Sequence, residues 1–270
     1  MVVLTALLLV AFVAGVFGSM LGVGGGIVMV PMLTLAFGVP IKTAVATSIV
    51  CVIATSSMAQ TSFVSRGMTN IRLGMLLEVA TSIGAVAGGV TAVLVDGRFL
   101  QVAFAFVVFY VAWQMSRRRG DVVPVQTGLL EAGYYDPASG EDVRYGVRRP
   151  RLGFVLCLGA GNISGLLGVG GGAFKVPIMN LLMGAPLKAT IATSNLMIGV
   201  TAATSAAIFY GRGYMDPYWV VPSALGILAG ARLGPRLAAR MSARALSLTF
   251  QVVLAIFGLL MLLKAVGVPV

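Results

Sequence analysis

Apolar residues in this chain do not alternate with polar ones. They run in long blocks, at 2–17, 43–64, 73–95 and 99–115, and again at 152–163, 189–210, 218–237 and 245–266. Most of these blocks approach or exceed the roughly 20 residues that a helix needs to cross the hydrocarbon of a bilayer. Two shorter apolar runs, 27–37 and 173–183, would rise only about 16 Å as helix, so they predict re-entrant or discontinuous helices rather than spans. The pattern predicts an all-α polytopic membrane protein.

Ahead of each short run stands the same pentad. Gly22-Val23-Gly24-Gly25-Gly26 recurs as Gly168-Val169-Gly170-Gly171-Gly172, 146 positions later. Glycine weakens a helix by about 1 kcal/mol per residue, and broken backbone at membrane depth is tolerated only where protein buries it or it lines a cavity. Sliding the sequence by 146 aligns 21–67 with 167–213 without a gap. Val30-Pro31 matches Val176-Pro177, Gly38 and Pro40 match Gly184 and Pro186, and Lys42 matches Lys188. Ala46-Thr47-Ser48 matches Ala192-Thr193-Ser194, and Thr55, Phe63 and Arg66-Gly67 match Thr201, Phe209 and Arg212-Gly213. An ungapped match of this length is an internal duplication, and it sets the fold. Ala14-Gly15 matches Ala160-Gly161 as well, so the first apolar run is predicted to be a fold element, not a signal peptide.

The division that follows is 1–115 as membrane repeat 1, 116–151 as an inter-repeat loop, and 152–270 as membrane repeat 2. Each repeat is predicted to hold a glycine-broken, re-entrant first helix pair followed by three spanning helices. Charge orients them. With inverted repeats, one face collects Arg66, Arg72, the seven arginines from Arg117 to Arg151, Lys188, Arg232, Arg236, Arg240 and Arg244. The other keeps Lys42, Arg98, Arg212 and Lys264. A parallel arrangement shares the basic residues more evenly. The positive-inside rule therefore predicts two inverted-topology repeats, with a cytoplasmic central loop and both termini outside. Within the loop, Tyr134-Tyr135-Asp136-Pro137-Ala138-Ser139-Gly140 has turn chemistry that fits a small β-hairpin.

Composition narrows the chemistry. Only 10% of residues are charged and mean hydropathy is +1.00, against about 25% charged in soluble domains. The net charge of +11 lies mainly between apolar runs, so it reads as an orientation signal and no nucleic-acid partner is expected. Cys51 and Cys157 do not align in the repeat and are expected to be small buried hydrophobes. There is no histidine, no acidic cluster within a span and no metal-ligand spacing, so no catalytic residue, metal site or cofactor is expected.

What the repeat does offer is anion chemistry. Glycine-rich backbone leading into a helix N-terminus presents unpaired N–H groups and partial positive charge. Gly24, Gly25, Gly26, Gly170, Gly171 and Gly172 are the candidate cradle. Thr47, Ser48, Thr193, Ser194 and Asn195 are candidate side-chain donors at depth, with Thr55 and Thr201 about two turns on and Gln60 a weaker candidate. Lys175, standing where repeat 1 has Met29, would offer fixed charge to an anion or reach the interface. Glu78 is expected near the interface beside Arg72, with carriage of a coupling proton as the alternative.

These residues resemble a known family. Leu21-Gly22-Val23-Gly24-Gly25-Gly26, Val30-Pro31, Gly38-Val39-Pro40 and Ala46-Thr47-Ser48, with their second copies, look like the TauE/SafE sulfite exporter family of anion permeases. The resemblance covers nearly the whole chain and is least typical in the central loop. It implies secondary transport, as an exporter, of small sulfur-containing anions such as sulfite or organosulfonates across a prokaryotic cell membrane. Substrate would be held between the two glycine breaks under alternating access. The partners implied are the anion and the lipid bilayer, with a coupling proton or sodium ion as a further candidate. An anion channel, or a membrane scaffold or assembly factor without cargo, remain the alternatives.

Overall fold

A computed structural model describes residues 2–21, 23–117, 129–136, 140–238 and 255–266. Repeat 1 begins with α1 (Val2–Leu21), then α2 (Gly26–Pro31), which widens into a π-helical turn at Met32–Ala36. α3 (Ile41–Val64), α4 (Ile71–Leu94) and α5 (Gly97–Arg117) follow. A two-stranded antiparallel hairpin, β1 (Leu129–Asp136) and β2 (Glu141–Val147), connects to repeat 2. That repeat holds α6 (Pro150–Leu167), α7 (Gly172–Pro177) with its own π turn at Ile178–Leu182, α8 (Leu187–Gly211), α9 (Pro217–Ala238) and α10 (Ala255–Ala265). Among the described residues α1, α3, α4, α6 and α8 are long and apolar enough to cross a membrane. The chain is thus a mostly helical, multi-pass membrane protein. Gly22, Arg118, Arg119, Arg240, Arg244 and positions 245–254 of the last apolar block lie outside the described residues.

The offset of 146 carries into the structure. α2 and α7, α3 and α8, and α4 and α9 each begin 146 residues apart. Packing repeats in the same way: α1 lies along α9, and its counterpart α6 lies along α4, so one contact is made twice. α3 and α8, which correspond to each other, pack together between these pairs.

Small residues let these pairs close. A Cβ on Gly84 or Gly88 of α4 would run into the backbone of α6 at Leu158 or Asn162. At the equivalent places, Gly230 and Gly234 of α9 lie against α1 at Phe12 and Val16. Helices in lipid associate by such backbone approach because no hydrophobic gradient drives them together.

The glycine breaks turn each first helix pair back on itself. Gly171, at the start of α7, lies against Ala160 and Ser164 of α6. The π turn ends at the other end of α6, where Met183 packs on Gly153 and its carbonyl accepts the Arg148 amide at 2.9 Å. In repeat 1, Gly25 lies against Ala14, and Val28 and Met32 line a groove with Leu9, Val10, Val13 and Phe17 of α1. Pro31 and Pro177 close α2 and α7. Proline lacks the N–H of a regular turn and crowds the carbonyl four residues back, and the chain answers with a π turn at each. In repeat 1 the Thr34 hydroxyl takes up the Val30 carbonyl at 2.7 Å.

The β-hairpin is docked, not loose. Tyr134, Tyr145 and Val147 are buried with Met68, Leu73 and Leu77 at the start of α4 and with Met179 and Met183 of repeat 2. Asn70 joins these parts: its side-chain oxygen accepts the Leu73 amide as helix cap at 3.0 Å, and its Nδ2 donates to the Leu130 carbonyl at 3.2 Å.

Candidate functional site

The two breaks meet at the centre of the molecule. Gly24 and Gly25 (φ 85° and 72°) and Gly170 and Gly171 (φ 78° and 69°) are left-handed, a conformation only glycine adopts without strain. A Cβ on Gly24 would sit 3.0 Å from Ile198 Cδ1 and 3.1 Å from Val52 Cγ1. One on Gly170 would lie 2.9 Å from Val52 Cγ1 and 3.5 Å from Ile198 Cβ. Val52 and Ile198 are repeat counterparts near the middle of α3 and α8, so both breaks face one point on the line between the repeats. Gly26 is tighter still, with the Gly168 carbonyl and Ser48 Oγ in the space a Cβ would need.

The candidate donors divide. The Ser48 hydroxyl donates to the Gly168 carbonyl at 2.7 Å, tying α3 of repeat 1 to the break of repeat 2. Thr193, the counterpart of Thr47, accepts the Asn70 amide on its Oγ1 at 3.0 Å and so holds the start of α4. Asn195 donates from Nδ2 to the Ile191 carbonyl, its backbone carbonyl accepts from Ser56 Oγ, and its Oδ1 is buried without a partner. Thr47 Oγ1 is likewise buried and unpartnered. Ser194 is fully buried beside them. Gly24 N–H donates to Gly18 O at 3.3 Å, while the amides of Gly25 and Gly26, and of Gly171 and Gly172, stand at or before the first turns of α2 and α7. Gln60 bonds the Thr69 hydroxyl away from this point.

Lys175 neither reaches an interface nor faces the glycines with a free charge. It is fully buried, its Nζ lies 3.6 Å from Glu78 Oε2, and it donates to Thr201 Oγ1 at 2.6 Å. Glu78 is correspondingly not at an interface beside Arg72. Burial beside a buried ammonium gives its carboxylate a partner that water-exposed Arg72 could not supply at that depth. The hydroxyls of Thr201 (2.7 Å, to Oε1), Thr81 (2.7 Å, to Oε2) and Ser82 (3.0 Å, to Oε1) complete its shell. The counterparts of Lys175 and Glu78 in the other repeat are Met29 and Ala224. Thr55, the counterpart of Thr201, bonds only back to its own helix at Cys51 O among the described contacts. The molecule is therefore symmetric at its glycines and asymmetric at this charge cluster.

A duplicated, glycine-broken membrane fold of this kind can be compared with known proteins over its whole length. The family described as Sulfite exporter TauE/SafE matches residues 7–261. The chain belongs to that family. Among its TauE/SafE relatives is the "Probable membrane transporter protein YunE" of Bacillus subtilis, 23% identical over 261 residues, covering 93% of this chain and 94% of the relative. A "Probable membrane transporter protein" of Methanocaldococcus jannaschii is 25% identical over 280 residues, covering 97% of each. YdhB of Bacillus subtilis, under the same description, is 23% identical over 257 residues, covering 95% and 99%. No solved structure matches the chain.

In TauE/SafE terms the geometry offers two things: a buried point where the two glycine breaks meet at Val52 and Ile198, and, alone among the described residues, an internal ion pair one helical turn from the second break. Asn70, Thr81 and Ser56 carry no signal in the sequence that marks them out. The Glu78–Lys175 pairing had one legible signal: Glu78 is the one acid lying within the apolar runs, and Lys175 falls within a short run just past a glycine break.

Proposed function

We propose that this protein is a secondary carrier for a small sulfur-containing oxyanion such as sulfite or an organosulfonate, working by alternating access across a prokaryotic cell membrane. The observation that carries the reading is the convergence of Gly24 and Gly170 on Val52 and Ile198. Anion would lie between the breaks, on the amides of Gly25, Gly26, Gly171 and Gly172, with Thr47 Oγ1 as a side-chain donor. Asn195 would turn its amide inward, and Ser48, Thr193 and Ser194 would frame the point. Val52 and Ile198 are fully buried, so the central point is closed. Closure supports a carrier over an open channel. The family description implies outward movement of the anion.

Inverted repeats fit this reading. Each half opens with a hairpin that returns to its starting face and then crosses three times, so an odd count turns the second half over. Two clusters support the sidedness. Lys42 donates to Val93 O and lies over Tyr214, and Lys264 donates to Thr34 O, which gathers those helix ends on one face. Asn70, Leu130 and Thr193 gather the others with the β-hairpin. By the positive-inside rule the hairpin face is cytoplasmic.

The test is thermal stabilisation of purified protein by sulfite, sulfate, thiosulfate, sulfoacetate and taurine. An anion at 100 times its dissociation constant should stabilise the fold by about 2.7 kcal/mol. Thr47→Val keeps the shape and removes an unsatisfied buried hydroxyl, so it should retain stability while losing the anion response. A wild-type protein that no anion stabilises would refute the carrier reading and favour a scaffold.

A further inference from the structure

The buried Glu78–Lys175 pair has no task in holding the helices that its mirror image lacks. The symmetry-related seam of α1, α2 and α9 reaches the same packing with Met29 of repeat 1 and Ala224 of repeat 2 at these positions. We infer that this pair is the coupling element of the carrier. An anion entering at the second break takes Lys175 from Glu78, and Glu78 accepts one proton as it is released. The inference rests on the carrier reading and adds the co-transported ion to it.

Charge and geometry both lead there. Lys175 lies one helical turn beyond Gly172, with its amide bonded to Gly171 O, so a shift of its flexible stem brings Nζ toward the break. Thr201 is placed as the pivot: it accepts from Lys175 Nζ and donates to Glu78 Oε1. As it stands, the cluster is neutral, with one ammonium and one carboxylate in a buried site. Adding a monoanion alone would leave a net buried negative charge, which is costly. Adding a monoanion with one proton keeps the sum at zero: the anion pairs with the ammonium, and the carboxylate becomes a neutral acid still bonded by Thr81 and Ser82. The proton bonds to a carboxylate oxygen, no bond is broken, and the proton leaves when the ion pair re-forms.

The groups that face Glu78 come from four elements. α4 contributes the Thr81 and Ser82 hydroxyls, α7 contributes Lys175 and α8 contributes Thr201. α6 contributes the Cys157 thiol, which lies within electrostatic reach of both charges. Among the described residues no second acid faces the pair. A proton also needs no space. Thr81, Thr201 and Lys175 are fully buried, and the apolar groove lined by Leu9, Val13, Met32 and Phe257 lies elsewhere. Since the symmetry-related position, Met29 with Ala224, holds no second pair, one proton is expected per anion.

The experiment measures binding of methanesulfonate, ethanesulfonate and isethionate, monoanions that unlike sulfite do not titrate near neutral pH, to purified full-length protein. Titrations run at a series of pH values, with and without sodium. Uptake of one proton per anion makes affinity rise about tenfold for each unit of acidification. Glu78→Gln should bind at every pH as tightly as wild type does at the acid end, with no slope. Affinity independent of pH in wild type, a slope that persists in Glu78→Gln, or a dependence on sodium in place of pH would each overturn the inference. The wild-type slope decides the matter even if Glu78→Gln does not fold. Binding without a slope defeats only the proton coupling, whereas no binding by any of the three anions defeats the carrier reading along with it.

Discussion

Replacing Lys175 by methionine copies into repeat 2 what repeat 1 already has at Met29, and the structure sets the cost. At 3.6 Å, opposite unit charges attract by about 5 kcal/mol if the effective dielectric constant is about 20. Lys175→Met removes that attraction and leaves the Glu78 carboxylate buried, held only by the hydroxyls of Thr81, Ser82 and Thr201. Stranding one partner of a buried pair typically costs about 3–5 kcal/mol, a large share of an ordinary folding free energy. Removing both charges, as Glu78→Gln with Lys175→Met, leaves hydroxyl bonds to a neutral amide and should cost far less than the single change. The difference is a coupling energy of several kcal/mol, measured by a double-mutant cycle. Equilibrium unfolding in mixed micelles, followed by fluorescence of Trp113 and Trp219, supplies the four stabilities. A single Lys175→Met variant within about 0.5 kcal/mol of wild type, or a double variant as unstable as the two singles summed, would refute the ion pair as described.

The helix seams and the hairpin give two more outcomes. Gly88→Ala should destabilise by about 1–3 kcal/mol or more, because its Cβ would press on the Asn162 backbone across the α4–α6 seam. Gly159→Ala, where nothing lies within 4 Å, should instead be neutral or stabilising by up to about 1 kcal/mol, and the same unfolding assay ranks the two. Burial holds the Tyr145 phenol above its ordinary value of 10.0, with the Asn70 side chain partly opposing the rise. A raised pKa in the folded state favours the neutral phenol there. Docking of the β-hairpin should thus be complete below about pH 10 and weaken as pH climbs through the raised value, with protease accessibility of the hairpin as the readout.

Residues whose role is local or periodic are legible in the sequence. Apolar blocks gave the spans, the runs at 27–37 and 173–183 gave two short helices, and glycines at 24, 25, 170 and 171 gave the breaks. The duplication then paired each feature with its counterpart. Residues whose role depends on a partner far along the chain are not legible in this way. Ser48 reaches Gly168, Asn70 reaches Thr193, and Glu78 reaches Lys175, at separations that no period or spacing encodes. The glycines at 84, 88, 230 and 234 fall between the two kinds: visible as letters, they acquire meaning only where α6 and α1 lie against them.

The sequence by itself therefore determined the elements, their duplication and the two glycine breaks, because hydropathy, backbone freedom and repeat offset act within short stretches of chain. The tertiary structure decided which helices share a seam, that both breaks converge on Val52 and Ile198, and that Lys175 is neutralised by Glu78. The physical reason is depth. In a closed membrane interior a charge or a hydroxyl must find its partner within a few ångströms, and packing of distant segments, not order along the chain, determines which group stands there.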